Sequence, residues 1–533
     1  MKVYNNSLLS FKGNFWYATD DHGRLKEVAE GLSNLEHRTK NSDTQNYYLN
    51  GGDIVSSICS ETDMADTYKV FADRNPDVQM IFGLGNAETD LDSASKEEGL
   101  PKLTSIVRSM TECPNINFIS VFANELGLQK YVKPYIIVND RVQEGNNTID
   151  KKVLITSVFT DSGSKDFPLE VQKQALKRVL EPALQKENPD EIVLISHNFN
   201  KNTEELADYA KNELQISNLL VLGAHSHRMS NTNAGGTRVL YPPVMGTSIV
   251  KIAHKKNGFD FPIMPVDPDN PYNYFYNATG SGSDILRTVD DSRIIPTYLE
   301  PFLRDKSVTE HVVKLSQPLT YRDNMTMDVS APCEIGSLIC DEMLKSSKAD
   351  LAVLLTMTLR HGLPPLGSNV IMYDLRKTVI DDHKVYFIHD VTSEELLDLF
   401  EESLTEQSSG KNNRNFLEFS SNVKIERYPD IKDSATPKIK QILINDKPIL
   451  NPSPKGVKAE PKNKDKTYKI ATCEYLVNNA ESRGFPSIAG HTISLFDENY
   501  TLTGAFAQGL RNLESCKKKP PLPQLVDFIE PAL

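Results

Sequence analysis

The stretch Val221-Leu222-Gly223-Ala224-His225-Ser226-His227 decides how this chain is read. An apolar run from Leu219 stops at a small-residue turn that carries two histidines two positions apart. A buried strand ending there lifts both imidazoles off its carboxyl end, the edge at which open α/β sheets place their sites. Four other apolar runs end in the same way. Phe15 to Thr19 leads into Asp20-Asp21-His22, and Tyr47 to Asn50 leads into Gly51-Gly52-Asp53. Val78 to Phe82 leads into Gly83-Leu84-Gly85-Asn86-Ala87-Glu88, and Ile192 to Ile195 into Ser196-His197. A single histidine after a strand is usually a hydrogen-bonded surface group; the repetition carries the reading. Asp20, His22, Asp53, Asn86, His197, His225 and His227 form a mixed set of carboxylate, carboxamide and imidazole ligands. Such a set suits borderline divalent ions such as zinc, manganese or iron. Seven ligands exceed one tetrahedral site and suit two ions that share a bridging carboxylate.

Outward from these turns, residues 1–255 alternate strand-like and helix-like runs. Leu25, Val28, Ala29, Leu32 and Leu35 make a helical stripe directly after the first ligand turn. Helices are expected near 61–73, 100–111, 170–186 and 203–214, and further strands at 134–138, 152–158 and 247–253. Short β and longer α segments in alternation favour layered α/β packing. From about 255 to 290 the composition turns to Pro, Tyr, Asn and Gly, which is loop chemistry. The second half opens on a helical run from Glu334 to Lys345, followed by strands at 350–356 and 384–389 and a helix at 393–404. Lys411 to Asn415 and Asn451 to Lys466 read as mobile polar loops.

Length alone, at 533 residues, suggests two to four domains. Net charge of −13 and a pI near 5.5 argue against broad nucleic-acid or anionic-membrane binding, so no nucleic-acid partner is expected. The six cysteines lack C-x-x-C spacing and suggest neither a zinc ribbon nor a disulfide-rich scaffold. No apolar run reaches the roughly 20 residues a membrane span needs, and Met1 to Gly13 has no apolar core of signal-peptide length. The expectation is a cytoplasmic chain, one exported by another route, or one that begins after a removed signal.

The order Asp20-x-His22, Gly52-Asp53, Gly85-Asn86-x-Glu88, His197 and Ala224-His225-x-His227 resembles the calcineurin-like metallophosphoesterases. With a C-terminal domain attached, the chain resembles the 5′-nucleotidase family. The resemblance implies an α/β fold. An N-terminal four-layer α/β/β/α sandwich over 1–255 would be joined through a loop-rich junction and linker helix, 256–315, to a smaller α+β substrate domain, 316–533. Arg293 to Leu315 would supply the linker helix despite Pro296 and Pro301. It further implies one ion on Asp20, His22, Asp53 and His227, and another on Asp53, Asn86, His197 and His225. The expected partner is a small phosphorylated substrate, nucleotide or nucleotide-like.

Two departures qualify the resemblance. Ala87 stands where the family carries a proton-donating histidine, although Asp90, expected to orient that histidine, remains. A positioned proton donor contributes about 10²–10⁴-fold, and a methyl group cannot supply it. In the C-terminal half, Gly336-Ser337-Leu338-Ile339-Cys340-Asp341 resembles the opening of the family's domain, but the substrate pocket thins. The family's phosphate arginine corresponds to Arg360, and one of its base-stacking aromatics to Phe485. The ribose-binding acid is replaced by His491. Three readings follow: a phosphohydrolase whose leaving group needs no acid, a metal-binding pseudoenzyme or regulatory protein, or an engineered inactive form of an active phosphatase.

Overall fold

A computed structural model describes residues 13–40, 45–55, 61–89, 96–144, 147–159, 167–225, 230–242, 248–255, 258–260, 285–287, 296–317, 319–320, 332–359, 362–364, 366–379, 382–404, 416–428, 436–481, 483–516 and 524–527. The chain forms two compact units, Met1–Asp305 and Lys306–Leu533.

In the first unit, β1 (Gly13–Ala18), β2 (Gln45–Asn50), β3 (Val78–Gly83), β4 (Ile116–Ile119) and β5 (Val132–Lys133) lie side by side and parallel. The second sheet pairs β6 (Tyr135–Glu144) antiparallel with β7 (Asn147–Phe159), then runs β8 (Glu191–Asn198) and β9 (Leu219–His225) parallel to β7. It ends in the hairpin of β10 (Ser230–Ala234) and β11 (Thr237–Tyr241). The first sheet also gains β12 (Ser248–Lys255), antiparallel to β1.

The period-2 alternation explains why the sheets stack. Phe15, Tyr17, Tyr47, Leu49 and Ile81 point one way and join Val153, Ile155, Val193, Ile195, Leu220 and Leu222 in one buried cluster between the sheets. The opposite faces carry Tyr48 and Phe82, which pack with Tyr68 of α2 (Glu61–Arg74). Helix α1 (Leu25–Thr39) buries its expected stripe of Leu25, Val28, Ala29, Leu32 and Leu35. Helix α3 (Asn86–Thr89) is one short turn after β3, and α4 (Lys96–Met110) packs beside α2. Helices α5 (Leu169–Glu187) and α6 (Asn200–Asn212) cover the second sheet. The result is the α/β/β/α layering.

Helix α7 (Pro296–Arg304) docks on this unit through a buried carboxylate. Glu36 accepts from Arg74 Nε at 3.0 Å, Arg74 Nη2 at 2.7 Å, Asn75 at 3.4 Å and the hydroxyl of Tyr298. Burial opposes the charge on Glu36, but Arg74 and the hydroxyl outweigh it and hold the carboxyl down at about 2. Its folded pKa lies below the unfolded value of about 4.3. The stabilisation is therefore complete above that value and fades as pH falls through it toward 2. Glu36→Gln is expected to cost about 2 kcal/mol at pH 7, a value discounted because Arg74 reaches solvent. The gap from wild type should shrink to less than half by pH 3. Urea titrations at both pH values check this, and an equal gap at both would refute it.

The segment expected as one helix over Arg293–Leu315 behaves otherwise among its described residues. It is helical over Pro296–Arg304 and Lys306–Thr309, then extended over His311–Lys314, which pairs with Asn369–Ile371. Val312 and Val313 are buried there, and β-branched residues suit a ladder better than a helix.

The second unit builds a five-stranded sheet around Leu351–Leu355, Thr467–Cys473 and Val385–Thr392, and a four-stranded one around Val423–Arg427 and Ile439–Ile444. Its helix Glu334–Ser347 starts at Cys333, whose Sγ accepts the Gly336 N–H at 3.3 Å. It stops at Lys348, in the left-handed conformation at φ 55°. The polar stretch Asn451 to Lys466 is pinned at Asn451, whose N–H donates to Glu460, and at the bridge between Leu450 and Pro461.

Candidate metal centre

Parallel β1, β2 and β3 deliver Asp20, Asp53 and Asn86 to one carboxyl edge, while β8 and β9 deliver His197 and His225 to another. The first two turns are laced by backbone bonds: Asp20 N to Gly52 O at 3.0 Å and His22 N to Asp53 O at 2.8 Å. Asp20, His22, Asp53 and His225 all sit at positive φ, at 54°, 46°, 55° and 69°. Each such non-glycine residue costs on the order of 1 kcal/mol or more, and such strain clusters where side chains are needed for function. Glycine would be cheaper at all four, but it has no ligand.

The side chains converge. Asp53 Oδ2 lies 3.1 Å from His197 Nε2 and 3.6 Å from His22 Nε2. Asp20 Oδ1 lies 3.9 Å from His22 Nε2 and 4.0 Å from His197 Nε2. Asn86 Oδ1 is 3.2 Å from His197 Nε2 and 2.8 Å from His225 Nδ1. Two groups share Asp53: Asp20, His22 and Asp53 on one side, and Asp53, His197 and His225 on the other, with ligand atoms inside 4.8 Å of one another.

The chemistry of this set fits cations. His197 is fully buried, and its Nδ1 faces the Gly51 carbonyl at 2.9 Å. A carbonyl only accepts, so Nδ1 carries the hydrogen. In the neutral ring Nε2 is then a bare lone pair aimed at the oxygens of Asp53 and Asn86. Three acceptors meeting at this distance need positive charge among them, and a backbone-fixed imidazole tautomer is the usual outer support of a metal ligand. The same demand shows in the titration. Burial works against the His197 imidazolium, but the adjacent Asp53 carboxylate outweighs it and pushes the ring up to about 10. Asp53 is buried too, yet His197 drives its carboxyl far below the usual range.

Neighbouring groups fix the turns. Glu88 is buried and accepts the backbone N–H of Asp53 at 2.9 Å, of Gly85 at 2.7 Å, and of Ile54. Burial and the charge of Asp53 push Glu88 up to about 7. Gly85 admits no side chain, because a Cβ there would stand 2.2 Å from Asp53 Oδ1 and 2.8 Å from the His197 ring. Asp21 accepts from Asn50 Nδ2 at 2.8 Å and from the Tyr68 hydroxyl, while Asn50 Oδ1 takes the Gly52 N–H at 2.9 Å. Asp21 thus braces the second turn from beneath. Ala87 is half-buried and donates its backbone N–H to Asp53 Oδ1 at 2.7 Å.

Of the residues singled out in the sequence, Asp20, His22, Asp53, Asn86, His197 and His225 come together. His227, Asp90 and Arg360 lie outside the described residues. Phe485 is fully buried in the core of the second unit and offers no ring face to a base. The turn at Gly484, with φ 81°, and the Phe485 N–H bond to Ala480 O fold the ring inward. Two neighbours were not assigned from the sequence. Glu88 stands in the Gly85-Asn86-x-Glu88 motif, whose fourth residue signalled it. Phe199 follows His197 by two residues, is 52% exposed, and sets its ring edge-to-face with His225 at 4.4 Å; only its nearness to a ligand pointed to it.

Comparison with known proteins agrees with this architecture. Residues 312–489 match the family model "5'-nucleotidase, C-terminal domain". The 5'-nucleotidase precursor of Thermus thermophilus has a similar structure: TM-score 0.61, 15% identity, with 97% of this chain and 99% of that one covered. A putative 5'-nucleotidase of Staphylococcus aureus, solved with alpha-ketoglutarate, gives 0.56 at 14% identity, covering 97% and 99%. The Thermus sulfate thiohydrolase SoxB, solved with glycerol, gives 0.55 at 11%, covering 98% of each. No curated protein is significantly similar in sequence. The fold is a mixed α/β one in two units, shared over nearly the whole chain with these solved structures. More narrowly, the C-terminal unit carries a 5′-nucleotidase C-terminal domain, and the whole chain has the fold of 5′-nucleotidases.

Proposed function

We propose that the protein is a phosphoric ester hydrolase of 5′-nucleotidase type whose first unit holds two divalent ions. Asp20, His22, Asp53 and His227 hold one, and Asp53, Asn86, His197 and His225 the other; zinc, manganese and iron suit the set. The observation that supports this most is the meeting of His197 Nε2 with the Asp53 and Asn86 oxygens at 3.1–3.2 Å. Divalent ions bound there supply charge neutralisation for phosphoryl oxygens and acidify the attacking water. The chain's own part is to orient: Gly51 fixes the His197 ring, Glu88 fixes the Asp53 turn, and Asp20 takes the His225 N–H at 3.0 Å. Arg360 would grip the substrate's phosphate through its planar fork.

A second reading rests on Ala87. With no proton donor there, the chain binds phosphate esters but releases only those with good leaving groups, or acts as a binding protein. Elemental analysis of the purified protein, joined to a screen of aryl and alkyl phosphates, tests both readings. Two ions per chain with turnover of aryl esters supports the enzyme; ions without turnover of any ester supports the binding protein. No ions, even after incubation with manganese or zinc, defeats both.

A further inference from the structure

We infer that Phe199 is the substrate-facing platform of the metal centre and selects phosphate esters whose leaving group is a planar aromatic ring; this rests on the proposed phosphoesterase function. Asp20, Asp53 and His197 are at most 1% exposed, while His22, Asn86 and His225 are partly buried. Phe199 is far more open, a large apolar ring at 52% exposure directly beside His225. Its ring and that of His225 meet edge-to-face at a centroid distance of 4.4 Å and an interplanar angle of 82°.

The ring is held rather than adrift. Phe199 precedes α6 with extended backbone, φ −57° and ψ 147°, and its carbonyl accepts the Thr203 N–H at 3.0 Å. Strand β8 fixes the chain on the other side, with Asn198 in register with His225. The ring stays more than half exposed beside the histidine, which leaves surface for an offset-stacked aromatic group. Ala87 sharpens the choice of ligand. An ester whose oxygen departs as an alkoxide needs a proton that a methyl group cannot give, whereas a phenolate leaves without one. Water adds to phosphorus, the P–O bond to the aryl oxygen breaks, and its electron pair leaves on the phenolate. The proton released from the water passes to solvent. A stacking ring and a missing acid favour the same substrate class.

The test uses calorimetric titration of the full chain, loaded with manganese, by phenylphosphonate and by methylphosphonate, neither of which turns over. Phenylphosphonate should bind on the order of 5-fold more tightly, the scale of one aromatic pair. Phe199→Leu should remove that preference while leaving methylphosphonate affinity and metal content unchanged, and Phe199→Trp should keep it. A preference that survives in Phe199→Leu, or none in the wild type, overturns the inference while the phosphate site stands. Loss of metal in Phe199→Leu also overturns it, by showing that the ring only supports His225. No binding of either phosphonate overturns the phosphoesterase reading itself and the inference with it.

Discussion

Asp53→Ala is expected to lose both ions, the largest single effect of any substitution in the chain. Asp53 is the residue common to the two ligand groups. Its Oδ2 stands 3.6 Å from His22 Nε2 and 3.1 Å from His197 Nε2, so one carboxylate faces ligands on either side. Loss of an outer-shell partner alone costs about 10–100-fold in metal affinity, and a bridging ligand removed outright should cost at least about 10²-fold at each ion. Removing the charge also leaves His197 and His225 facing one another without their anion. Asp53→Asn serves as the control for backbone strain, because asparagine tolerates the left-handed conformation that Asp53 adopts at φ 55°. It should weaken binding almost as severely. His22→Ala, by contrast, should mainly deplete the ion beside Asp20. Elemental analysis and the thermal stabilisation given by manganese or zinc report both outcomes, and an Asp53→Ala protein that keeps either ion would refute the shared-carboxylate arrangement.

Ala87→His should raise hydrolysis of alkyl phosphates by on the order of 10²-fold or more and of aryl phosphates far less. Ala87 is half-buried beside the centre, and its backbone already bonds Asp53 Oδ1 at 2.7 Å. A side chain introduced there starts from a fixed point on α3. The attacking water and the charge stabilisation are the same in both proteins, so the easy substrate already turns over in the parent. Only the poor leaving group waits for a proton, and the imidazole supplies it. Comparing kcat/KM for a ribose 5′-phosphate with that for nitrophenyl phosphate separates the cases. Equal gains would mean the imidazole reshapes the site. No gain on either would shift the reading to a binding protein.

Much of the proposed centre is legible in the order of residues, because each candidate ligand follows an apolar run. Hydrophobic runs encode strands and their lengths encode where the chain turns, so Asp20, Asp53, Asn86, His197 and His225 can be assigned to strand ends from the pattern of residues. The alternation of Phe15, Tyr17, Tyr47 and Leu49 likewise encodes a two-faced sheet. The linker is less legible: Val312 and Val313 fit a helical stripe as readily as a strand, and only pairing with Asn369–Ile371 decides between them. Phe485 misleads for a related reason. An aromatic after glycine has no inherent direction, and the turn at Gly484 sends it into the core.

By itself the sequence determined the types and order of the candidate ligands and the alanine at position 87, since these are properties of residues and need no geometry. Tertiary structure alone decided the rest. It lets Gly51 fix the His197 tautomer from 146 residues away. It lets Glu88 gather three N–H groups from two turns, and it leaves Phe199 exposed against His225. The reason is physical: pairing of parallel strands places distant turns on one edge, and which polar group meets which depends on that register rather than on any local pattern.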